Sequence, residues 1–345
     1  VGKTDELKKL VKDGFYFSKQ HGNNAGITKL ALQSLKTGFK AFFSTFHSCH
    51  EYILDANNDY MINLAHTPGY ATNFYQSVIF IHHFFELILK DILRKESPLL
   101  ALRFDDKKTD VLLKLVNKED LGENDLSKLK SIEFTAALER ICSLLKEEHL
   151  KDFGFIKDGR DALTELNTLR NRILHRGEYV LRYISFQKLI CKYILPIIVK
   201  LLSLPLKSGA ERKYKELACG TDPISEILSE VQKNDYSAKK VSLLMEMARA
   251  AYNNPLIINP QNDFGEYINK NYIERALKSG LEFDVNSLYA PIKCPVCSAK
   301  TLALKSYKSK DGLICALCSF QIRDTFKEII ESGDVPGIDK DIFKI

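Results

Sequence analysis

The sequence predicts a mainly α protein, a helical bundle with helical extensions and a small C-terminal metal-binding ribbon. Three observations predict it. From about Leu30 to Leu204 apolar residues recur every three or four positions, the period of a helix face, with little β-branched alternation. Glycine and proline punctuate these runs at Pro68-Gly69, Ser97-Pro98, Phe153-Gly154 and Gly177, with Pro196 inside the last one. Near the C-terminus, two Cys-x-x-Cys pairs stand at the separation of a metal ribbon.

Taken in order, residues 1–66 form a helical extension. Its aromatics Phe15, Tyr16, Phe17, Phe39, Phe42, Phe43 and Phe46 sit at core-facing helical positions, although such residues near lysines can also stack on bases. Residues 67–206 form the bundle. A central helix is expected over Tyr70–Leu93, between Pro68-Gly69 and Ser97-Pro98. The polar stretch Asp105–Lys130 reads as loops with short helices, and Ser131–Lys146 resumes the helical pattern. After Phe153-Gly154, a helix over about Arg160–Arg176 should close at Gly177, and a last helix should run from Val180 to Leu202 with a kink at Pro196. Pro205, Gly209 and Glu211-Arg212-Lys213 mark a boundary. Residues 207–290 read as a connector with two shorter helices in Asp222–Asn253, residues 291–325 as the ribbon, and 326–345 as a tail.

The 345 residues are 45% hydrophobic and 27% charged, and the net charge of +6 permits an anionic partner without requiring one. Cys49, Cys142, Cys191 and Cys219 stand alone, a usage that suits a reducing cytoplasm rather than a disulfide scaffold. The first residues lack the layout of a secretion signal. Charged and polar residues interrupt the apolar stretches Val78–Leu89 and Tyr183–Leu206, so no membrane span is expected. The sequence has no Gly-rich phosphate loop, dinucleotide fingerprint, serine elbow or His-Glu-x-x-His motif, which argues against ATP-driven and hydride chemistry.

Cys294, Cys297, Cys315 and Cys318 are expected to hold one structural zinc ion, with 17 residues between the two pairs. Four thiolates fill a tetrahedral site and leave no open position, so no catalytic metal is expected there. Thr301–Tyr307 and Leu313–Cys315 should form a hairpin whose turn includes Asp311-Gly312, with Lys300, Lys305, Lys308 and Lys310 on or beside it.

The second constellation is Arg170-Asn171-x-x-x-His175 at a helix end. At 100° per residue, Leu163, Leu166, Leu169, Ile173 and Leu174 define one apolar face, and Arg170 falls inside that arc. A guanidinium placed there requires a partner or an open cleft. Asn171 and His175 share the adjoining flank, and the helix dipole favours a cationic imidazole in the last turn. Glu86, polar within the central helix, either joins this site facing Arg170, forms a purely structural ion pair with Arg170, or pairs with Lys90 one turn on.

On Arg170-Asn171-x-x-x-His175, followed by one more long helix, the chain resembles the HEPN superfamily over about Pro68–Leu206. The resemblance implies a HEPN-like four-helix bundle and a metal-independent endoribonuclease working as a homodimer, its two motifs meeting in one cleft. It implies that a 2′-hydroxyl attacks the adjacent phosphate to leave a 2′,3′-cyclic phosphate, with Arg170, Asn171, His175 and Glu86 as site residues. The substrate would be RNA, tRNA or mRNA, in anti-phage defence or toxin-like translation arrest, under a regulatory protein partner. Some family toxins carry a modifiable tyrosine two positions after the histidine; here Gly177 stands there and Tyr179 is displaced. The rival expectation is a non-catalytic HEPN dimer that binds nucleic acid or protein through its zinc ribbon. His47-Ser48-Cys49-His50-Glu51 has metal-capable residues at helical spacing but lacks an identifiable further ligand.

Overall fold

A long helix, α1 (Gly26–Ile53), opens the described part of the chain in a computed structural model that describes residues 26–53, 67–103, 109–117, 119, 130–177, 179–204, 221–252, 292–297, 300–304, 312–315 and 318–343. Phe39, Phe42, Phe43 and Phe46 on α1 are buried, as core-facing spacing predicts. Phe15, Tyr16 and Phe17 lie outside the described residues. The second long helix, α2 (Pro68–Glu96), covers the expected Tyr70–Leu93 and begins at its proline, where the absent N–H costs no helix bond.

The architecture is mainly helical, with one small sheet and a cysteine cluster. The chain divides into two compact units, one from residues up to Lys36 with Phe80–Gly154, the other from Thr37–Ile79 with Phe155 to Ile345.

The first unit includes α3 (Thr109–Val116) and α4 (Phe134–Leu144). His83 hydrogen-bonds Ser34 at 2.8 Å, and His82 packs on the Phe134 ring at 4.5 Å between centroids. Arg140 donates to the carbonyls of Leu100 and Leu102 at 2.7 and 3.0 Å, which ties α4 to the short helical turn Pro98–Ala101 after α2.

The second unit contains α5 (Gly154–Asp158) from its second residue on, α6 (Arg160–Arg176), α7 (Tyr183–Lys188), α8 (Leu195–Ser203), α9 (Pro223–Val231) and α10 (Ala238–Tyr252). Its core is aromatic. Phe186 meets Phe74 at 4.7 Å and Phe42 at 5.6 Å, and Phe46 meets both Tyr183 and Phe326. Edge-to-face and tilted contacts of this kind stabilise beyond the area they bury. Tyr70 donates to the Leu181 carbonyl at 2.7 Å, and Tyr75 to that of Gly177 at 3.0 Å.

The kink expected at Pro196 takes a different form. Residues Leu189–Ile194, between α7 and α8, form a π turn that ends just before it. Proline has no N–H for the ladder, and its ring crowds the carbonyl four residues back; a wider turn relieves both without breaking the helix. α9 and α10 are the two helices expected in Asp222–Asn253, the first capped by Asp222, which accepts from the N–H groups of Ile224 and Ser225.

The sheet is antiparallel, in the order β1 (Ile292–Lys293), β2 (Lys300–Leu304), β3 (Leu313–Cys315), β4 (Gln321–Ile322). The expected hairpin is β2–β3, paired Leu302 to Cys315 and Leu304 to Leu313. Its tip, with Lys305, Lys308, Lys310 and Asp311, lies outside the described residues. Gly312 does not act only as a turn residue. It has a φ of +85°, and a Cβ there would stand 1.9 Å from the Ile322 carbonyl oxygen. Gly312→Ala should therefore lower the thermal midpoint by several degrees, through left-handed strain and backbone collision together. An unchanged melt would show that β4 can move away.

Among the described residues, no helix is long and apolar enough to cross a membrane. A short helix, α11 (Lys327–Glu331), follows β4.

Candidate functional site

Two side-chain groups named from the sequence lie in the second unit. The first is the cysteine cluster. Cys294 and Cys297 flank the turn after β1, Cys315 ends β3, and Cys318 lies before β4; all four are buried. Their sulfurs lie within 4.8 Å of one another, the only group among the described residues that could hold a metal ion. The Cys294–Cys318 and Cys297–Cys315 sulfur pairs are each 3.6 Å apart. Zinc–sulfur bonds of ~2.3 Å in a tetrahedron place sulfurs about 3.8 Å apart, so the donor set and its spacing fit zinc. The Val296 and Cys318 N–H groups point at the sulfurs of Cys294 and Cys315, as befits thiolates. Hydrogen bonds from the Cys294, Cys297 and Cys318 thiols hold Cys315 well below the usual thiol range.

The second group is the motif on α6. Leu163, Leu166, Leu169 and Ile173 are buried, but Leu174, expected on the same face, is 51% exposed. The arc does not account for this: on an ideal helix Leu174 stands only about 20° from the buried Leu163, but it lies in the last turn of α6, where the helix is left uncovered. Arg170 is half-buried, and its Nη1 donates to the side-chain oxygen of Asn171 at 2.9 Å. His175 is exposed in the last turn. Gly177 closes α6 as expected, with a φ of +70° and its N–H donating to the Ile173 carbonyl. Arg172 lies 5.1 Å from the Tyr179 ring centroid, so the displaced tyrosine has a cationic neighbour.

Glu86 belongs to the first unit. Its ion-pair partner is Lys90 at 2.7 Å, the i,i+4 alternative, and His82 lies 3.9 Å away. Burial pushes the Glu86 carboxyl upward, but the Lys90 hydrogen bond and the nearby positive charges outweigh it and hold the group below its ordinary 4.5. A depressed carboxylate stabilises the fold above its unfolded pKa and loses that contribution as pH falls through the folded value. Acid unfolding of Glu86→Gln should therefore depend less steeply on pH below about 4.5 than that of the unsubstituted protein. Parallel unfolding curves would contradict this.

One buried group was missed from the sequence. Glu246 and Arg249 on α10 are 1% and 6% exposed and form a bidentate pair, with Nε–Oε2 at 2.7 Å and Nη2–Oε1 at 2.6 Å. Burial opposes ionisation of Glu246, yet hydrogen bonds from Arg249 and His47 keep its carboxyl low. The available signal was an acid and a base three residues apart inside the apolar run Val241–Tyr252. His47 stands 3.4 Å from Glu246, and His50 bonds the His47 carbonyl through Nδ1.

The fold and these sites thus define a mainly helical protein with a four-cysteine cluster able to hold a metal ion. In comparisons with known proteins, no family model, curated protein or solved structure matches the chain.

Proposed function

We propose that this chain is a metal-independent endoribonuclease of HEPN type, in which 2′-hydroxyl attack gives 2′,3′-cyclic phosphate ends. The observation that carries the reading is the end of α6. Arg170 occupies the apolar arc with its guanidinium held by Asn171, and His175 stands exposed one turn beyond Asn171. Histidine supplies a ring that can give or take a proton, and arginine a permanent charge with several donors. Together they match the needs of phosphodiester transesterification: a proton moved from the 2′-hydroxyl, and charge offset on the phosphorane-like transition state. Asn171 would fix the guanidinium plane. Glu86, paired with Lys90, is assigned no part in this chemistry.

In the second unit the exposed large apolar side chains among the described residues are Leu174, Ile184 and Tyr193. All belong to α6 and the helical stretch after it, which favours a second copy of the chain as the partner that covers them. RNA, tRNA included, is the proposed substrate, in phage defence or toxin-like arrest of translation. The four cysteines are read as holding zinc in a structural role.

The test is the chemistry of the ends. Purified protein incubated with total RNA should give fragments carrying 2′,3′-cyclic phosphate and 5′-hydroxyl, at equal rates with and without EDTA over a short exposure. Fragments ending in 3′-hydroxyl, or strict dependence on magnesium, would refute the reading. Binding of RNA without cleavage would favour a non-catalytic nucleic-acid module built on the same motif and ribbon.

A further inference from the structure

The buried Glu246–Arg249 pair has an unusual set of partners. Arg249 Nη1 donates to the Ser319 hydroxyl at 3.1 Å, and Nη2 donates to the Ser319 carbonyl. The Gln321 N–H donates to Glu246 Oε1 at 3.1 Å. Thus both members of an ion pair on α10 are completed by backbone and side-chain groups of the ribbon. Ser319 directly follows the ligand Cys318 and is the sole non-glycine residue with positive φ among those described, at 59°. Two bonds hold it in that conformation: its N–H donates to the Cys315 carbonyl at 2.9 Å, and the Cys315 N–H donates to the Phe320 carbonyl at 2.8 Å. The acceptors that Arg249 needs are therefore positioned by backbone bonds between Cys315 and the residues just after the fourth cysteine.

We propose that metal loading of the four cysteines is coupled to the stability of α10 through Arg249, so that the helical part of this unit responds to whether the ribbon is loaded. The proposal rests on reading the cluster as a zinc site. Without the metal, the four sulfurs lose their common centre, and Ser319, next to Cys318, loses the restraint that follows from it. Arg249 and Glu246 then face loss of ribbon partners where water does not replace them. A buried charge that loses partners is costly, and the cost falls on the helix that carries it. His47 extends the network from Glu246 to α1. Next to it, Phe46 packs on Phe326, which lies beyond the ribbon in sequence.

Coupling of this kind is reciprocal: if zinc stabilises α10, an intact α10 network must tighten zinc binding by the same factor. The experiment uses the full chain. Metal content is measured first, and a chain that takes up no zinc overturns the zinc reading and this proposal together. With zinc bound, hydrogen exchange is followed in peptides from Ala238–Tyr252 and from the strands, before and after removal of the metal by a chelator under reducing conditions. We expect exchange in α10 to rise about tenfold or more along with that of the strands. In the double variant Glu246→Leu/Arg249→Met, α10 should exchange equally with and without zinc, and zinc should be held about tenfold more weakly in competition with a chromophoric chelator. Should that variant fail to fold, the unsubstituted protein decides alone. Strands that lose protection while α10 keeps it would show that the ribbon opens independently, with the zinc reading intact and the coupling refuted.

Discussion

Substitution of His175 by alanine should slow RNA cleavage about 100- to 10,000-fold, the range over which a positioned general acid or base contributes to rate. The residue is exposed at the end of α6, so its removal should leave the thermal midpoint nearly unchanged. The two readouts together separate a chemical role from a structural one. Arg170→Ala should cost a comparable factor through lost charge stabilisation, with a small loss of stability as well, because the half-buried side chain packs along the apolar arc and bonds Asn171. Arg170→Lys is informative beside it. Lysine keeps the charge but not the planar fork that Asn171 holds, so its rate should fall well below that of the unsubstituted protein while stability is largely restored. Cleavage of RNA at full rate by both alanine variants would remove the motif from the chemistry.

Cys315→Ser should have the largest effect on folding. Cys315 is at once a proposed metal ligand, the end of β3 and the acceptor of the Ser319 N–H. A serine oxygen offers zinc a far poorer donor than thiolate, and structural zinc sites of this size supply roughly 10 kcal/mol or more of folding free energy. The expected outcome is loss of the single bound zinc per chain, measured by metal analysis, and rapid hydrogen exchange throughout Ile292–Ile322. By comparison, Cys191→Ser should leave zinc content untouched, since Cys191 lies buried in the π turn with its thiol pushed far upward by burial. Retention of one zinc by Cys315→Ser would mean that the cluster is not the metal site.

The elements most legible in the sequence were those fixed by local chemistry. Two Cys-x-x-Cys pairs at a metal-ribbon spacing mark four sulfurs that lie close together and could hold a metal ion, and Gly177 ends α6 because a left-handed position accepts glycine without strain. Spacing along one helix fell short where tertiary packing decided. Leu174 obeys the apolar period of α6 but receives no cover. Glu86 had three candidate roles, and only the i,i+4 pair with Lys90 could be specified from sequence spacing alone. Strands β1 and β4 escaped detection because two residues carry no period. The Glu246–Arg249 network was out of reach for a different reason: its partners Ser319, Gln321 and His47 are distant in sequence, and a serine carbonyl bears no mark of the guanidinium it accepts.

The aromatic cluster around Phe46 bears on how the chain is made. Phe46 touches Tyr183 and Phe326, so the core of the second unit gathers side chains from α1, from the middle of the chain and from beyond the ribbon. During synthesis the early aromatics leave the ribosome long before Phe326 does, and loop closure across such separations is slow. Until then the Phe46 face that Phe326 covers stays bare to solvent or to a chaperone. An excised fragment spanning 67–206 would keep Phe186 on Phe74 but leave bare the faces of Phe186 and Tyr183 that Phe42 and Phe46 cover.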